Sequence, residues 1–524
     1  MNSSASDDQD ALKTRFYAED AELVWRSEAE RDADRLLYST AFRRLDGVTQ
    51  VASAGEVALL HNRLTHSLKV GQVGRKIAAS INFQANKSEP VRQAIRKFTG
   101  VPFNADRREA IDPWVLEAAG MAHDLGHPPF GHIAEQVLQK ALGKTPNQNE
   151  LLPVPEGFSL DDSFEGNAQS LRIVTRLAFG RLSGVLQSGA GLNLTRATTS
   201  AVLKYPWRRN ARPSEVDLRK EKWGAYDSEA DVLEWATDAI DDSVRRERPD
   251  GSLEWRSVTA QAMDWADDIT YAVHDVEDFC RARLIPADLL SLSEFDAPLI
   301  QGFWQYCLAR LLDNSLILSK IDGGQDSIEP ALRAIFLGVL RGLPGSTQAT
   351  RLEREEFRKW SSERIEFYTS PRPQGIQVLP DTGFLDIALR PLVEVEILKK
   401  LTWYFVIERP ALGSTQRGQA KMIRELFVWL CEWSEREYPG PQYKTSGVSR
   451  TQYNVGGLPP RLIDYLDVTS WQQPDTGGYR SERERVARAV CDYISSLTEK
   501  QALDLHIRLN GASSVAILDN WVQF

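Results

Sequence analysis

The chain has 524 residues, with 63 lysines and arginines against 73 aspartates and glutamates, and a formal net charge of -10 at pH 7. Hydrophobic residues make up 42% of the chain and charged residues 26%, proportions that are ordinary for a globular protein and exclude wholesale disorder. The acidic balance argues against indiscriminate nucleic-acid binding, which rests on surplus lysine and arginine, but permits an anionic small substrate, since a pocket needs only local positive charge.

The N-terminal part of the chain is predicted to be helical. After a polar start, a first helix is expected around Ala21–Asp46. The next helix is indicated by a stripe at positions i, i+4, i+7 and i+11, which is typical of an amphipathic helix. The stripe is formed by His66, Val70, Val73 and Ile77.

Two shorter helices are predicted on either side of a break rich in glycine and proline. Asp112 followed by Pro113 is typical of an N-cap with proline at the first helical position, and predicts a helix from there. The glycine and the two prolines of the segment LGHPP end this helix. A second helix is expected from near Gly131 to Gly143.

The remainder of the chain is also read as mainly helical. A long helix is expected from about Val258 to Arg283, while Thr402–Ile407 suits either a helix or a strand. Irregular loops are predicted over residues 144–162 and near 205–225, 370–385 and 438–460. No pattern demands a large sheet, and no internal repeat of roughly 20–50 residues is evident. The sequence therefore predicts an all-α fold.

Cysteine usage and hydropathy bear on the compartment. The four cysteines lie far apart and form no CxxC pair, which excludes a zinc ribbon and a disulfide framework and fits a reducing compartment. They are Cys280, Cys307, Cys431 and Cys491. The first twenty residues lack the pattern of a signal peptide, and no run of about 18 apolar residues predicts a membrane span. A soluble, cytoplasmic protein without a membrane partner is expected.

The segment HDLGHPPFGHIAE carries the clearest sign of chemistry. Three of the seven histidines of the chain, His123, His127 and His132, fall within ten residues. The adjacent His123 and Asp124 offer an imidazole and a carboxylate together, a donor set that suits Mg, Mn, Fe, Co or Zn. Since no thiolate is nearby, a structural zinc site is disfavoured.

Further donors must come from elsewhere in the chain. His66 lies on the apolar stripe of its helix and is expected to point inward, where a metal would be a sufficient partner. Three aspartates compete for a further position: Asp264, Asp267 and Asp268. Because Asp267, Tyr271 and Asp275 are spaced at i, i+4 and i+8 and share one helix face, Asp267 is favoured. His274 is interpreted as a partner within the helix surface.

The pattern formed by His66, the His123-Asp124 pair and Asp267 resembles the H…HD…D signature of HD-superfamily metallohydrolases. The longer motifs are similar to those of the bacterial deoxyguanosine triphosphate triphosphohydrolases. These motifs are RLTHSLKV, HDLGHPPFGHIAE, FEGNAQ, LKYPW and ADDITYAVHDVED. The similarity spans about residues 43–278, and the remainder, about 280–524, resembles the family only in length and helical texture.

The resemblance implies an all-α HD-domain fold with a helical C-terminal extension. Residues 1–30 would form a polar segment leading into the first helix. Residues 31–285 would form the HD-domain catalytic core. Residues 286–524 would form a mainly helical region packed on that core.

The resemblance also assigns roles at the catalytic centre. The metal, magnesium or manganese, would be held by four residues: His66, His123, Asp124 and Asp267. His132 would act as general acid or base at the α-phosphate, with Glu135 beside it. The two are spaced at i and i+3, close enough for the carboxylate to orient the imidazole.

Nine residues are implied in substrate binding. The phosphates would be contacted by His127, Arg63 and Lys204, with Lys222 as a further candidate. Polar contacts would come from Asn167 and Tyr205. The deoxyribose would be surrounded by Gln50, Tyr271 and Asp275.

The implied activity is metal-dependent hydrolysis of dGTP to deoxyguanosine and inorganic triphosphate by attack at the α-phosphate. One alternative is another HD-family phosphohydrolase, either a general dNTPase or a nucleotide phosphodiesterase. A second alternative is a non-catalytic protein that binds nucleotides or single-stranded DNA. Product analysis separates the first two, and metal-dependent turnover excludes the third.

The resemblance further suggests a homo-oligomer, a hexamer, and single-stranded DNA as a partner. The segment Trp207–Arg212 mixes an aromatic residue with cations, as stacking platforms for nucleic acid do. An exposed loop near the pocket would explain this composition equally well.

Overall fold

The computed structural model describes residues 14–17, 25–50, 60–99, 109–143, 153–178, 190–213, 222–238, 240, 246–345, 351–438, 457–470 and 478–512. The helices of the N-terminal half are α1 (Glu28–Tyr38), α2 (Thr40–Arg44), α3 (Arg63–Lys87), α4 (Glu89–Thr99), α5 (Pro113–Ala122), α6 (His132–Ala141), α7 (Gly166–Arg172), α8 (Arg196–Val202), α9 (Ala230–Thr237) and α10 (Val258–Arg281).

The helices that follow are α11 (Ala287–Leu292), α12 (Pro298–Leu311), α13 (Ser315–Leu318), α14 (Gln325–Arg341), α15 (Arg351–Thr369), α16 (Leu389–Thr402), α17 (Pro410–Glu437), α18 (Pro460–Ser470), α19 (Glu482–Ser495) and α20 (Glu499–Leu509). Helices thus dominate the described part of the chain, and the predicted all-α class is confirmed. No helix described in the structure combines the length and the apolar character needed to cross a lipid bilayer.

The β structure of the described residues is a short antiparallel hairpin within the region predicted as a loop near 370–385. Strand β1 (Ile376–Val378) pairs with β2 (Leu385–Ile387). The ambiguous segment after Thr402 is helical, because a π-helical turn over Trp403–Ile407 continues directly from α16. The strand alternative for that segment is therefore wrong.

Local capping explains where several helices begin. The Asp112 side chain accepts the Trp114 backbone N–H at 3.0 Å, with Pro113 at the first helical position of α5, so the predicted N-cap is confirmed. The single helix expected around Ala21–Asp46 is wrong in its described part, because Ser39 separates α1 from α2 and caps α2 through the Phe42 N–H. Residues 18–24 lie outside the described part of the chain.

A close glycine contact sets the crossing of α3 and α5. A methyl group added to Gly120 would lie 2.6 Å from the backbone nitrogen of Gly71, a distance that no Cβ atom can adopt. The close approach of the two helices therefore requires glycine at position 120, while a methyl group on Gly71 would lie 3.0 Å from the carbonyl oxygen of Glu117. The contact matters for function because α3 carries His66, while His123 directly follows α5.

Two hydrophobic cores organise the described residues. The first contains the inward faces of α3, α5 and α10, and it extends from Ala29 to Val406 across the predicted division at residue 285. The second joins Ala134 and Leu138 of α6 to apolar residues of α17, α19 and α20. His132 and Glu135, on α6, therefore belong to a different packing unit from α3 and α10, which carry His66 and Asp267, and the candidate site lies where the two cores meet.

Candidate active site

The turn that follows α5 is fixed by its contact with α7. A methyl group at Gly126 would lie 2.2 Å from the carbonyl oxygen of Gly166, so a larger residue would push the turn away from α7. The Gly126 N–H donates to Ser170 Oγ at 2.9 Å, and Ser170 Oγ donates to the carbonyl oxygen of His123 at 2.7 Å. The His123-Asp124 pair thus sits on a rigid support.

Three of the four predicted metal ligands lie together. His66 Nε2 is 3.1 Å from Asp267 Oδ1, and His123 Nε2 is 3.5 Å from the same oxygen. One donor atom from each of the three residues lies within 4.8 Å of the other two. Helices α3 and α10 and the end of α5 therefore converge on one point with two imidazoles and one carboxylate.

His123 shows that this group suits a cation. Its Nδ1 lies 2.7 Å from the carbonyl oxygen of Gly120, which can only accept, so Nδ1 donates there and Nε2 faces the carboxylates of Asp124 and Asp267 at 3.4 and 3.5 Å. His123 Nε2 is buried and has no hydrogen-bond partner among the described residues. Burial lowers the pKa of His123, but the carboxylates of Asp124 and Asp267 outweigh it and raise the pKa to about 9. The raised pKa means that Nε2 carries a proton when no ion is bound, and a divalent ion held by Nε2 and the two carboxylates would take the place of that proton.

Asp124 bridges this group and a buried arginine. Its Oδ1 is 3.4 Å from His123 Nε2 and 3.0 Å from His127 Nδ1, while Oδ2 accepts from Arg63 Nη1 at 2.6 Å. Burial raises the pKa of Asp124, yet the charges of His123 and Arg63 hold it well below its ordinary value. Asp124 is therefore ionised beside the three converging donors, with one oxygen committed to Arg63.

A second group of donors forms around the N-terminus of α6. His132 Nδ1 lies 3.0 Å from Glu135 Oε2, and His127 is the third member of the group. The Glu135 carboxylate is buried and its Oε1 accepts from Lys222 Nζ at 2.9 Å, whereas the His132 side chain is 67% exposed. Burial raises the pKa of Glu135, but His132 and Lys222 hold it well below its ordinary value. An ionised, fixed carboxylate thus orients an accessible imidazole.

The buried His127 stands between the two groups. Its ring centroid is 5.5 Å from that of His132. Burial and the positive charge of Arg63 lower the pKa of His127 to about 4, despite the nearby carboxylate of Asp124. His127 is therefore neutral at physiological pH, and its single N–H, on Nδ1, is donated to Asp124, which leaves Nε2 as an acceptor.

Lysines predicted to bind phosphates are paired with carboxylates. Lys204 Nζ lies 2.6 Å from Asp264 Oδ1 and 3.2 Å from Asp267 Oδ2, the oxygen of Asp267 that does not face His66. Among the three competing aspartates, Asp264 thus faces Lys204, and Asp268 pairs with Lys399 at 3.0 Å. The geometry leaves Asp267 as the aspartate that contacts the imidazoles.

Glu165 lies at the candidate site but was not among the residues predicted from the sequence. It is fully buried, and each of Lys222 Nζ and Asn167 Nδ2 lies 2.9 Å from its Oε1. Burial and the neighbouring Glu135 raise the pKa of Glu165. The signal that could have identified it is its place as the N-cap of α7, where its other oxygen accepts the Asn167 N–H. Asn167 therefore offers its amide to Glu165.

The predicted sugar face of α10 has unsatisfied acceptors. Asp275 Oδ2 and Gln50 Oε1 are both buried and lack a hydrogen-bond partner among the described residues. Burial and the charge of Asp278 raise the pKa of Asp275 well above its ordinary value. Burial and the charge of Asp275 likewise raise the pKa of the Tyr271 hydroxyl.

The structure corrects the interpretation of the segment Trp207–Arg212. Trp207 is only 8% exposed and packs with Trp223 and Tyr226, and its Nε1 donates to the carbonyl oxygen of Lys222. Its ring is not available as a stacking platform. Tyr205 packs against this aromatic cluster, with its ring centroid 5.7 Å from that of Trp207.

Comparison with known proteins places this geometry in a family. The HD domain model matches residues 63–159, a range that contains His66, the His123-Asp124 pair and Glu135. The phosphohydrolase-associated domain model matches residues 464–508. The second match lies in α18 to α20 and shows that the resemblance of residues 280–524 is not confined to length and helical texture.

Three relatives match along most of their length, and each is called a deoxyguanosinetriphosphate triphosphohydrolase-like protein. One from Streptomyces coelicolor is 30% identical over 516 residues, covering 96% of this chain and 97% of the relative. One from Mesorhizobium japonicum is 36% identical, covering 93% of each chain. One from Bifidobacterium longum is 34% identical, covering 94% of this chain and 85% of the relative. The chain therefore belongs to the family of HD-domain phosphohydrolases that includes these deoxyguanosinetriphosphate triphosphohydrolase-like proteins.

Proposed function

We propose that the protein hydrolyses dGTP to deoxyguanosine and inorganic triphosphate in a metal-dependent reaction at the α-phosphate. The observation that carries the proposal is the convergence of His66, His123 and Asp267, in which the buried Nε2 of His123 lies 3.5 Å from Asp267 Oδ1 and has no hydrogen-bond partner among the described residues. This donor group lies next to the cations Arg63 and Lys204. The names of the relatives support deoxyguanosine triphosphate as the substrate.

Magnesium or manganese would be held by His66, His123 and Asp267, with Asp124 as the fourth donor. When bound, the ion supplies Lewis acidity, neutralising phosphate charge and lowering the pKa of water. The imidazole and carboxylate donors suit manganese well, and magnesium accepts carboxylates together with water. A structural zinc site is disfavoured because the donor group contains no thiolate.

The cations around the donor group would bind the triphosphate. Arg63 can offer a guanidinium fork to a phosphate while one of its nitrogens stays on Asp124. Lys204 and Lys222 are held by carboxylates from two sides, which fixes each ammonium group before substrate arrives. Such preorganisation reduces the rearrangement needed to stabilise negative charge that develops in the reaction. His127, also proposed to contact the phosphates, is neutral and donates its Nδ1–H to Asp124.

His132 would handle the proton at the reacting phosphate. In-line displacement at the α-phosphorus breaks the bond to the 5′-oxygen, and this leaving oxygen needs a proton. The His132 imidazole is accessible and is held by the ionised Glu135, which favours the tautomer protonated at Nδ1. Its Nε2 then exchanges the proton with substrate or water.

The nucleoside would lie along the face of α10 beyond Asp267. Tyr271 would pack under the deoxyribose, and Asp275 and Gln50 would hydrogen-bond its 3′-hydroxyl, since each has a buried oxygen without a partner among the described residues. Asn167 and Tyr205 would line the phosphate side. Guanine recognition is proposed from the relatives alone.

The experiment is a comparison of the four dNTPs and GTP, each with Mg²⁺ or Mn²⁺, followed by separation of the phosphate products. Release of intact triphosphate from dGTP supports the proposal. Release of mono- or diphosphate would instead identify another HD-family phosphohydrolase, and absence of metal-dependent turnover would leave a binding protein. A homo-oligomer, specifically a hexamer, and single-stranded DNA binding are further proposals, tested by sedimentation and by titration with a labelled oligonucleotide.

A further inference from the structure

A cavity of about 340 Å³ lies between α3, α10 and α15. It is lined by none of the residues proposed to bind the metal or the dGTP substrate. Its lining includes Lys69 and Lys76 from α3, His274 and Glu277 from α10, and Arg358 and Ser361 from α15. Pockets for small molecules commonly have volumes of roughly 300–1,000 Å³, so the cavity has room for a compact ligand.

The lining is electropositive in a chain whose net charge is -10. Lys69, Lys76 and Arg358 supply three positive charges, and Glu277 supplies one negative charge. Glu277 is already satisfied, since it accepts from Ser361 Oγ at 2.7 Å and pairs with Arg281 at 2.6 Å. Its carboxylate therefore leaves Lys76 and Arg358 largely uncompensated, and a negatively charged occupant is favoured.

The cations stand at different depths. Arg358 is exposed at the rim, and Lys76 makes an exposed contact with Glu366 at 3.8 Å, which contributes little. Lys69 lies deeper, and its Nζ is 2.5 Å from His61 Nε2. His61 in turn has its Nδ1 2.6 Å from Asp278, so Lys69 is held in place by a chain of two residues.

His274 closes the inner wall with an unsatisfied polar atom. It is 7% exposed, and its Nδ1 has no hydrogen-bond partner among the described residues. A buried polar atom without a partner costs stability unless a ligand or water satisfies it. The sequence predicts His274 to be a partner within the helix surface, but the side chain is buried in the wall of the cavity.

We propose that this cavity is a second ligand site, separate from the catalytic centre, for a small molecule that bears a phosphate group. Lys69, Lys76 and Arg358 would contact the phosphate oxygens through charge-assisted hydrogen bonds. His274 and Ser361 would contact polar groups on the rest of the molecule. An inorganic polyphosphate and a nucleoside monophosphate share this chemistry, and both are compact enough for the volume.

The test measures binding to the full-length protein by isothermal titration calorimetry, with inorganic phosphate, inorganic triphosphate and deoxyguanosine 5′-monophosphate as separate probes. Arg358→Glu and Lys76→Glu reverse one charge each at the rim. Lys359→Glu is the matched control, because Lys359 is 76% exposed, adjacent to Arg358 on α15, and outside the cavity lining. Circular dichroism verifies that all three variants fold.

We expect the probes to bind at the cavity roughly tenfold or more weakly in Arg358→Glu and in Lys76→Glu than in the unmodified protein. Their affinity should be unchanged in Lys359→Glu. dGTP hydrolysis without added ligand should be unchanged in all three variants, which separates this site from the catalytic proposal. Tighter binding of triphosphate than of phosphate would assign the site to a polyphosphate, and tighter binding of the monophosphate would assign it to a nucleotide. Equal affinities in Arg358→Glu and Lys359→Glu for every probe would overturn the proposal.

Discussion

His132 Nδ1 lies 3.0 Å from Glu135 Oε2, and the two residues differ sharply in exposure, since the imidazole is accessible and the carboxylate is buried. Within the group formed by His127, His132 and Glu135, His132 is the accessible member, and its contact with the buried Glu135 carboxylate fixes the orientation of its ring. Such an arrangement is typical of a general acid or base whose tautomer is fixed by a carboxylate.

We therefore expect His132→Ala to retain metal and substrate affinity but to lose roughly 10²–10⁴-fold in kcat, the usual contribution of a general acid or base. Metal content by mass spectrometry and steady-state kinetics on dGTP check this. His132→Gln serves as a comparison that keeps a polar side chain. Loss of the metal in His132→Ala would show instead that His132 is a ligand.

The convergence of His66, His123 and Asp267 leads to a second prediction. His123→Ala removes one of three converging donors, so both bound metal and metal-dependent hydrolysis should be abolished. His506→Ala is a matched control, because His506 pairs with Glu425 on α17, far from the HD domain match in sequence. A His123→Ala protein with stoichiometric metal and full activity would contradict the metal assignment.

The local features of the site could be predicted from sequence because they depend on short spacing. His66 lies on an inward stripe, Asp112 caps α5, and His132 reaches Glu135 one turn away. Each of these relationships spans a few residues, over which helical geometry fixes the outcome.

The long-range pairings could not be predicted in this way. Lys222 contacts Glu135 across 87 positions of the chain, and this pairing depends on how α6 packs rather than on local pattern. The sequence places Trp207 beside arginines and suggests a surface for nucleic acid, but the ring packs with Trp223 and Tyr226. These residues lie too far along the chain for helical periodicity to predict the contact. The match of residues 464–508 likewise became visible only by comparison with a family.

A buried ion network beside the site provides a prediction on pH. Glu254 accepts from Arg256 and Arg248 at 2.8 Å each, and Arg256 Nη1 reaches Asp264, the partner of Lys204. Burial raises the pKa of Glu254, but these arginines outweigh it and lower the pKa to about 2. Because the folded-state pKa lies below the unfolded value, the stabilisation is present above the unfolded pKa and is lost as pH falls through the folded one.

Glu254→Gln should therefore lower the free energy of unfolding at pH 7 by on the order of 3 kcal/mol, as the shift in pKa implies. The difference from the unmodified protein should shrink as pH falls from about 4.5 towards 2. Urea unfolding across this range measures it. Glu247→Gln is a control on a neighbouring glutamate that is not buried. A difference that stays constant with pH would show that the effect comes from packing rather than from the charge.

The last prediction concerns the sugar. Tyr271 lies one helical turn beyond Asp267, and Asp275 lies one turn beyond Tyr271, so the three side chains share a face of α10. In the proposed binding mode the α-phosphate lies near Asp267, this face would run under the ribose, and the tyrosine ring would occupy the space of a 2′-hydroxyl. A buried hydroxyl without a partner costs ~1–3 kcal/mol, which corresponds to roughly 5- to 150-fold in kcat/KM.

Tyr271→Ala should consequently narrow the ratio of kcat/KM for dGTP over GTP, mainly by admitting GTP, whereas Tyr271→Phe should keep the ratio because the ring remains. Asp275→Asn should weaken binding of dGTP itself, since an NH2 group that cannot accept from the 3′-hydroxyl replaces one of the two carboxyl oxygens, of which Oδ2 is buried without a partner among the described residues. Tyr271→Ala should thus change the ratio of kcat/KM for dGTP over GTP, whereas Asp275→Asn should lower kcat/KM for dGTP itself. If Tyr271→Ala leaves the ratio unchanged, discrimination against the 2′-hydroxyl must reside on another element, and the sugar does not lie along this face of α10.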